Sequence, residues 1–135
     1  MFTGHLDIDT LGGAGFASQR TSRDDRHWDL SQFEGIQITI DPSQTDDKMY
    51  TFILKDEILP PDPDTGRERS TVSWEYDFSV NNTSLNDAQP TPNTITILWK
   101  EFKPTYRGRA KDDAKPLIKT NIRRMSIMIR RCVKF

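Results

Sequence analysis

The sequence predicts an all-β fold, a mostly antiparallel sandwich of short strands. Three observations carry that expectation. Ile, Thr and Val number 29 and Ala and Leu only 13, and branched side chains favour a pleated surface over a helix. Bulky residues recur at every second position in several rows, which is the period of a strand with one face buried. Turn-forming Gly, Pro, Asn and Asp clusters separate these rows at short intervals.

Taken in order, strands are expected at 4–8, 15–20, 35–41, 50–54, 72–80, 94–98 and 124–130. Gly12-Gly13 parts the first two. Ile36, Ile38 and Ile40 alternate with Gln37 and Thr39 in the third. The run 41–47, with Pro42 and six polar residues, reads as a tight connection, a hairpin, to the fourth. Pro60, Pro61 and Pro63 make the next loop rigid, since proline cannot donate to a ladder. Trp74, Tyr76 and Phe78 alternate with Glu75 and Asp77 in the fifth strand, flanked by Val72 and Val80. A polar excursion from 81 to 93 leads to Ile95 and Ile97, set among threonines. A basic loop is expected at 106–115, and Met125, Ile127 and Ile129 alternate in the last strand. About seven such strands read as a β-sandwich or jelly roll, one domain over 1–135.

Composition excludes several function classes. Val, Ile, Leu and Phe total 30 of 135 residues, enough for one thin core but no more. No apolar run approaches the roughly 20 residues of a membrane span, so the chain is not expected to span a membrane. The start has no signal- or transit-peptide pattern. The single cysteine, Cys132, excludes an internal disulfide and a cysteine-based zinc site. The net charge is −1, but residues 1–64 hold 13 acids and 5 bases against 7 and 14 in 65–135. In a sandwich these halves interleave and the field largely cancels, so no nucleic-acid partner is expected.

The search for chemistry yields no catalytic residue. The neighbouring acids Asp24-Asp25, Asp46-Asp47, Asp56-Glu57 and Asp112-Asp113 read as solvated charges, because sequence neighbours on a strand point to opposite faces. Asp62, Asp64 and Glu68 loosely follow a calcium loop, but Pro61 and Pro63 break its spacing; no metal and no cofactor is expected. Gly13-Ala14-Gly15 lacks the following βαβ unit of a dinucleotide site. Ser18 has no nucleophile-elbow context, and two histidines supply no triad.

Two features remain as binding candidates. Trp28 and Trp99, with Trp74, Tyr76 and Tyr106, form an aromatic set that would suit a carbohydrate groove if exposed; Trp74 and Tyr76 are read as core. Tyr106, Arg107 and Arg109 join a ring to two guanidinium groups on one loop, which suits an acidic partner. The three are expected to be exposed; were the arginines structural instead, Asp24 or Asp25 would pair with them.

The ordered string of motifs resembles the NADH:ubiquinone oxidoreductase (complex I) intermediate-associated family. The string runs Phe2-x-Gly4-x-Leu6, Gly12-Gly13-Ala14-Gly15-Phe16-Ala17-Ser18, Trp28-Asp29-Leu30-Ser31-x-Phe33-x-Gly35-Ile36 and Tyr50-Thr51-Phe52. It continues through the Trp74–Phe78 row, Trp99-x-x-Phe102-x-Pro104-x-x-Arg107-Gly108-Arg109 and Ile122 to Met128. The insert at 55–63 resembles the fungal branch. The resemblance implies a galactose-binding-like jelly roll without catalytic residues, a complex I assembly chaperone whose partners are assembly intermediates or other assembly factors. It implies a mitochondrial location, with the cytoplasm as the alternative; a carbohydrate-binding module is the alternative function, with a carbohydrate as its ligand. Against the family pattern the chain reads as shortened at both ends. That leads to the expectation of an unpaired sheet edge beside 4–8 or 124–130.

Overall fold

The computed structural model describes residues 16–41, 48–79 and 93–130. Their strands are β1 (Phe16–Arg20), β2 (Gly35–Ile40), β3 (Met49–Lys55), β4 (Ser73–Ser79), β5 (Asn93–Leu98), β6 (Lys103–Tyr106), β7 (Arg109–Ala110) and β8 (Arg124–Arg130). All pairings are antiparallel. Six strands form one sheet in the order β1-β8-β3-β4-β6-β7, and β2 and β5 form a second. The predicted all-β, antiparallel fold is what forms.

The alternation read from the sequence sets which side chains meet. In the small sheet Ile36 faces Ile97 and Ile38 faces Ile95, while Gln37 and Thr39 face Thr96 and Thr94 on the other side. The isoleucine face packs on the large sheet. There Phe52 and Leu54 of β3 and Trp74 and Phe78 of β4 join Ile97, Phe102 and Ile122 in one buried cluster. Gly35 is required at this contact: a Cβ there would run into the Ile97 backbone. Strand β3 is third in the six-stranded order. Its Thr51, Phe52, Ile53 and Leu54 are all buried, so an interior strand reads as a near-continuous apolar run.

Three expectations need correction. β2 and β3 do not form the expected hairpin, because β2 pairs with β5 whereas β3 pairs with β4 and β8; residues 42–47 lie outside the described residues. The basic stretch from 106 is not a plain loop: β6 and β7 make a two-residue hairpin, Tyr106 facing Arg109. Strand 124–130 is not a sheet edge either. It lies between β1 and β3, and Ile129 is buried. The expected strand 4–8 lies outside the described residues.

Candidate functional site

The face of the large sheet that points away from the core is polar, and strand register builds it. Lys55 sits opposite Arg124 on β8, Ser73 of β4 opposite Thr105 of β6, and Glu75 opposite both Ile53 and Lys103. One step along, Thr51 Oγ1 donates to Asp77 Oδ1 at 2.6 Å, which satisfies a fully buried hydroxyl.

Two pieces of chain close over one end of this face. The first follows the proline-rich loop. Asp62 Oδ1 accepts from the backbone N–H of Asp64 and Thr65 at 2.8 and 3.2 Å, and Gly66 takes a φ of +68°. This tight turn sends residues 67–71 back as a strap. Glu68 pins the strap: it accepts from Arg124 Nη1 and, at 2.9 Å, from Arg20 Nη1. Arg124 is 5% exposed and its Nη2 also donates to Asp24 Oδ1 at 2.8 Å. Lys55 Nζ holds the strap's end, donating to Thr71 Oγ1 at 2.9 Å and Thr71 O at 3.4 Å.

The second piece is the β6–β7 hairpin. Arg107 and Gly108 have φ of +52° and +78°, the left-handed pair of a type I′ turn. Glycine adopts this freely; arginine at the first position does not, and the strain is of order 1 kcal/mol. Beside it, Tyr106 carries the Arg107 guanidinium carbon 5.5 Å and Lys111 Nζ 5.9 Å from its ring centroid.

Between strap and hairpin lies a polar hollow of about 250 Å³ whose walls include Lys55, Arg69, Ser73, Glu75, Thr105 and Arg107. A second hollow of about 390 Å³ adjoins it, with Asp62, Arg67 and Tyr106 in its walls. The two share Glu68, Arg69, Ser70 and Arg107.

The charges here are strongly coupled. The Arg124 hydrogen bond, against the cost of burial and with help from Arg20, holds the Glu68 carboxyl down at about 2. Burial and then the Arg124 charge pull the Lys55 ammonium below its ordinary range, with Glu68 and Glu75 acting the other way. Burial works against the Arg124 charge, but its bonds to Glu68 and Asp24 leave it raised.

Of the residues singled out in the sequence, Tyr106, Arg107 and Arg109 are exposed on the hairpin. Arg107 lines both hollows and Tyr106 one; Arg109 lines neither. Asp24 pairs with Arg124, not with the hairpin arginines. Trp28 and Trp99 are half-buried against the core. The backbones of Trp28 and Ile122 exchange two hydrogen bonds of 2.9 Å. Trp99 Nε1 donates to Phe33 O at 2.6 Å, and the ring packs on Phe102 at 6.1 Å. Neither tryptophan lines either of these two hollows, and Trp74 is buried, so these rings do not join Tyr106 around the second of them.

Sequence reasoning missed Lys55, Glu68, Arg69, Ser73, Thr105 and Arg124 as parts of a site. The polar positions of β4 and β8 follow from the same alternation that marks the core rows. The strap residues carry no local signal, because long-range pairs, Arg124–Glu68, Arg20–Glu68 and Lys55–Thr71 among them, bring them onto the sheet.

The sequence of residues 1–134 matches a known family described as complex I intermediate-associated protein 30, CIA30. A fission-yeast protein, "Uncharacterized protein C9E9.15" of Schizosaccharomyces pombe, is 44% identical over 129 residues, covering 96% of this chain and 54% of its own. The chain thus spans about half the length of that relative.

Proposed function

Because the chain belongs to the complex I intermediate-associated protein 30 family, we propose that it is a non-enzymatic, protein-binding domain that serves assembly of respiratory complex I in the mitochondrion. The observation that carries this reading is the family match, which runs from residue 1 to residue 134. The partners are assembly intermediates or other assembly factors. The arrangement of charges around the two hollows suits holding rather than turnover. The carboxylate of Glu68 is bound by two arginines, Glu75 by Arg130 and Asp62 by backbone N–H groups, so none of the three is poised as a base. The exposed β6–β7 hairpin supplies the contact surface in this reading through Tyr106 and Arg107, which line the hollows, whereas Arg109 lines neither.

Affinity purification of the tagged full-length protein from respiring cells, followed by mass spectrometry, tests it. Complex I subunits or their assembly factors should be enriched over an untagged control. Enrichment only of proteins unrelated to complex I would overturn it.

A further inference from the structure

We propose that the hollow between the 67–71 strap and the β6–β7 hairpin is a carboxylate-binding site, taking an acidic side chain of a protein partner between Arg69 and Arg107. The proposal rests on the reading above that the domain works by holding proteins.

The charges around the hollow differ in whether they already have partners. The acids of the walls are already neutralised from behind: Glu68 by Arg124 and Arg20, and Glu75 Oε2 by Arg130 Nη2 at 3.0 Å. The cations are not. Arg69 and Arg107 are exposed and make no hydrogen bond or ion pair with the described residues. Lys55 Nζ has three donors and uses two on Thr71. Ser73 and Thr105, neighbours across β4 and β6, add hydroxyl donors to the same walls. The hollow therefore presents donors to an incoming anion, and a guanidinium binds a carboxylate through two parallel N–H bonds.

Its chemistry favours a carboxylate over a phosphate. Glu68 and Glu75 remain in the walls and, though paired, weaken the positive field; in so weak a field a dianion is disfavoured, because its desolvation cost grows with the square of its charge and its attraction only in proportion. Arg107 adds a structural reason. It occupies a left-handed turn position that glycine fills without strain, and at such positions the strained side chain is a pointer to function. Arg109, two residues on, carries the same charge but lines neither hollow, which supplies an internal control.

The test is fluorescence anisotropy of a labelled hexaglutamate peptide with the full-length protein at low salt. Saturable binding is expected, weakened about tenfold or more by Arg69→Glu and by Arg107→Glu, as for loss of one charged hydrogen-bond pair. Arg109→Glu should change it less than about threefold, a long-range charge effect alone. Arg107→Gly removes the guanidinium and the backbone strain together; it should also weaken binding, though less than the charge reversal Arg107→Glu, while melting no lower than the parent. That variant keeps the test decisive should a glutamate substitution disturb folding. Free glutamate should displace the peptide at a lower concentration than inorganic phosphate does at matched ionic strength. Absence of saturable binding, equal losses for Arg107→Glu and Arg109→Glu, or better displacement by phosphate would each overturn the site. Complex I proteins retained by the purified full-length protein in those cases would leave the family-level reading standing.

Discussion

Replacing Glu68 by Gln tests whether the strap is held by charge. The substitution keeps the shape of the side chain and removes the carboxylate that bridges Arg124 and Arg20. The fall of the Glu68 pKa from 4.5 to about 2 corresponds to roughly 3 kcal/mol, at about 1.4 kcal/mol per pKa step. Glu68 is 47% exposed, so solvent screening reduces that to about 1–2 kcal/mol. Arg124, 5% exposed, keeps only the 66% exposed Asp24 as partner, and an under-compensated buried cation raises the total to about 2 kcal/mol. For 135 residues the unfolding entropy is of order 0.3 kcal/mol/K, so the melting temperature should fall by about 7 °C. The sign of the pH dependence follows from the folded-state pKa lying below the unfolded one. The stabilisation is complete above about pH 4.5 and is lost as the pH falls through about 2. Thermal unfolding followed by circular dichroism at pH 7 and pH 3 should therefore show the gap between parent and Glu68→Gln shrinking to less than half. Equal melting temperatures at pH 7, or a gap that widens toward pH 3, would refute the reasoning.

Two further outcomes bear on the core. Leu54 is fully buried between the sheets, so Leu54→Ala should cost about 2–5 kcal/mol in chemical denaturation, with the slope unchanged. Gly35→Ala drives a Cβ into the Ile97 backbone; separation of β2 from β5 at that end should cost about 1–3 kcal/mol, read as a lower melting temperature and faster amide exchange at Ile97.

Much of the architecture was legible because a period of two is a strong signal wherever one face is buried. The rows at Ile36–Ile40, Trp74–Phe78 and Met125–Ile129 lie in strands whose observed limits agree with expectation to within one residue at each end. The strand at 103–106 was not legible. Pro104 and two charged or polar neighbours hide it, and what holds it is pairing with β4, more than 20 residues away in sequence. Strand order was equally hidden: nothing local distinguishes β2–β3 as a hairpin from β2 leaving for the other sheet. Around the candidate site, Tyr106, Arg107 and Arg109 are conspicuous in the sequence because loop arginines beside a ring stand out, and two of the three line the hollows. Lys55, Glu68 and Arg124 were not, since their significance lies in ion pairs and hydrogen bonds across 56 or 16 positions of chain.

The measurement that bears most directly on the central claim is native gel electrophoresis of respiratory complexes from cells lacking the gene. Loss of assembled complex I with build-up of a sub-assembly, restored by re-expression of the full-length protein, is the expected result. Complex I at its normal level in those cells would contradict the account.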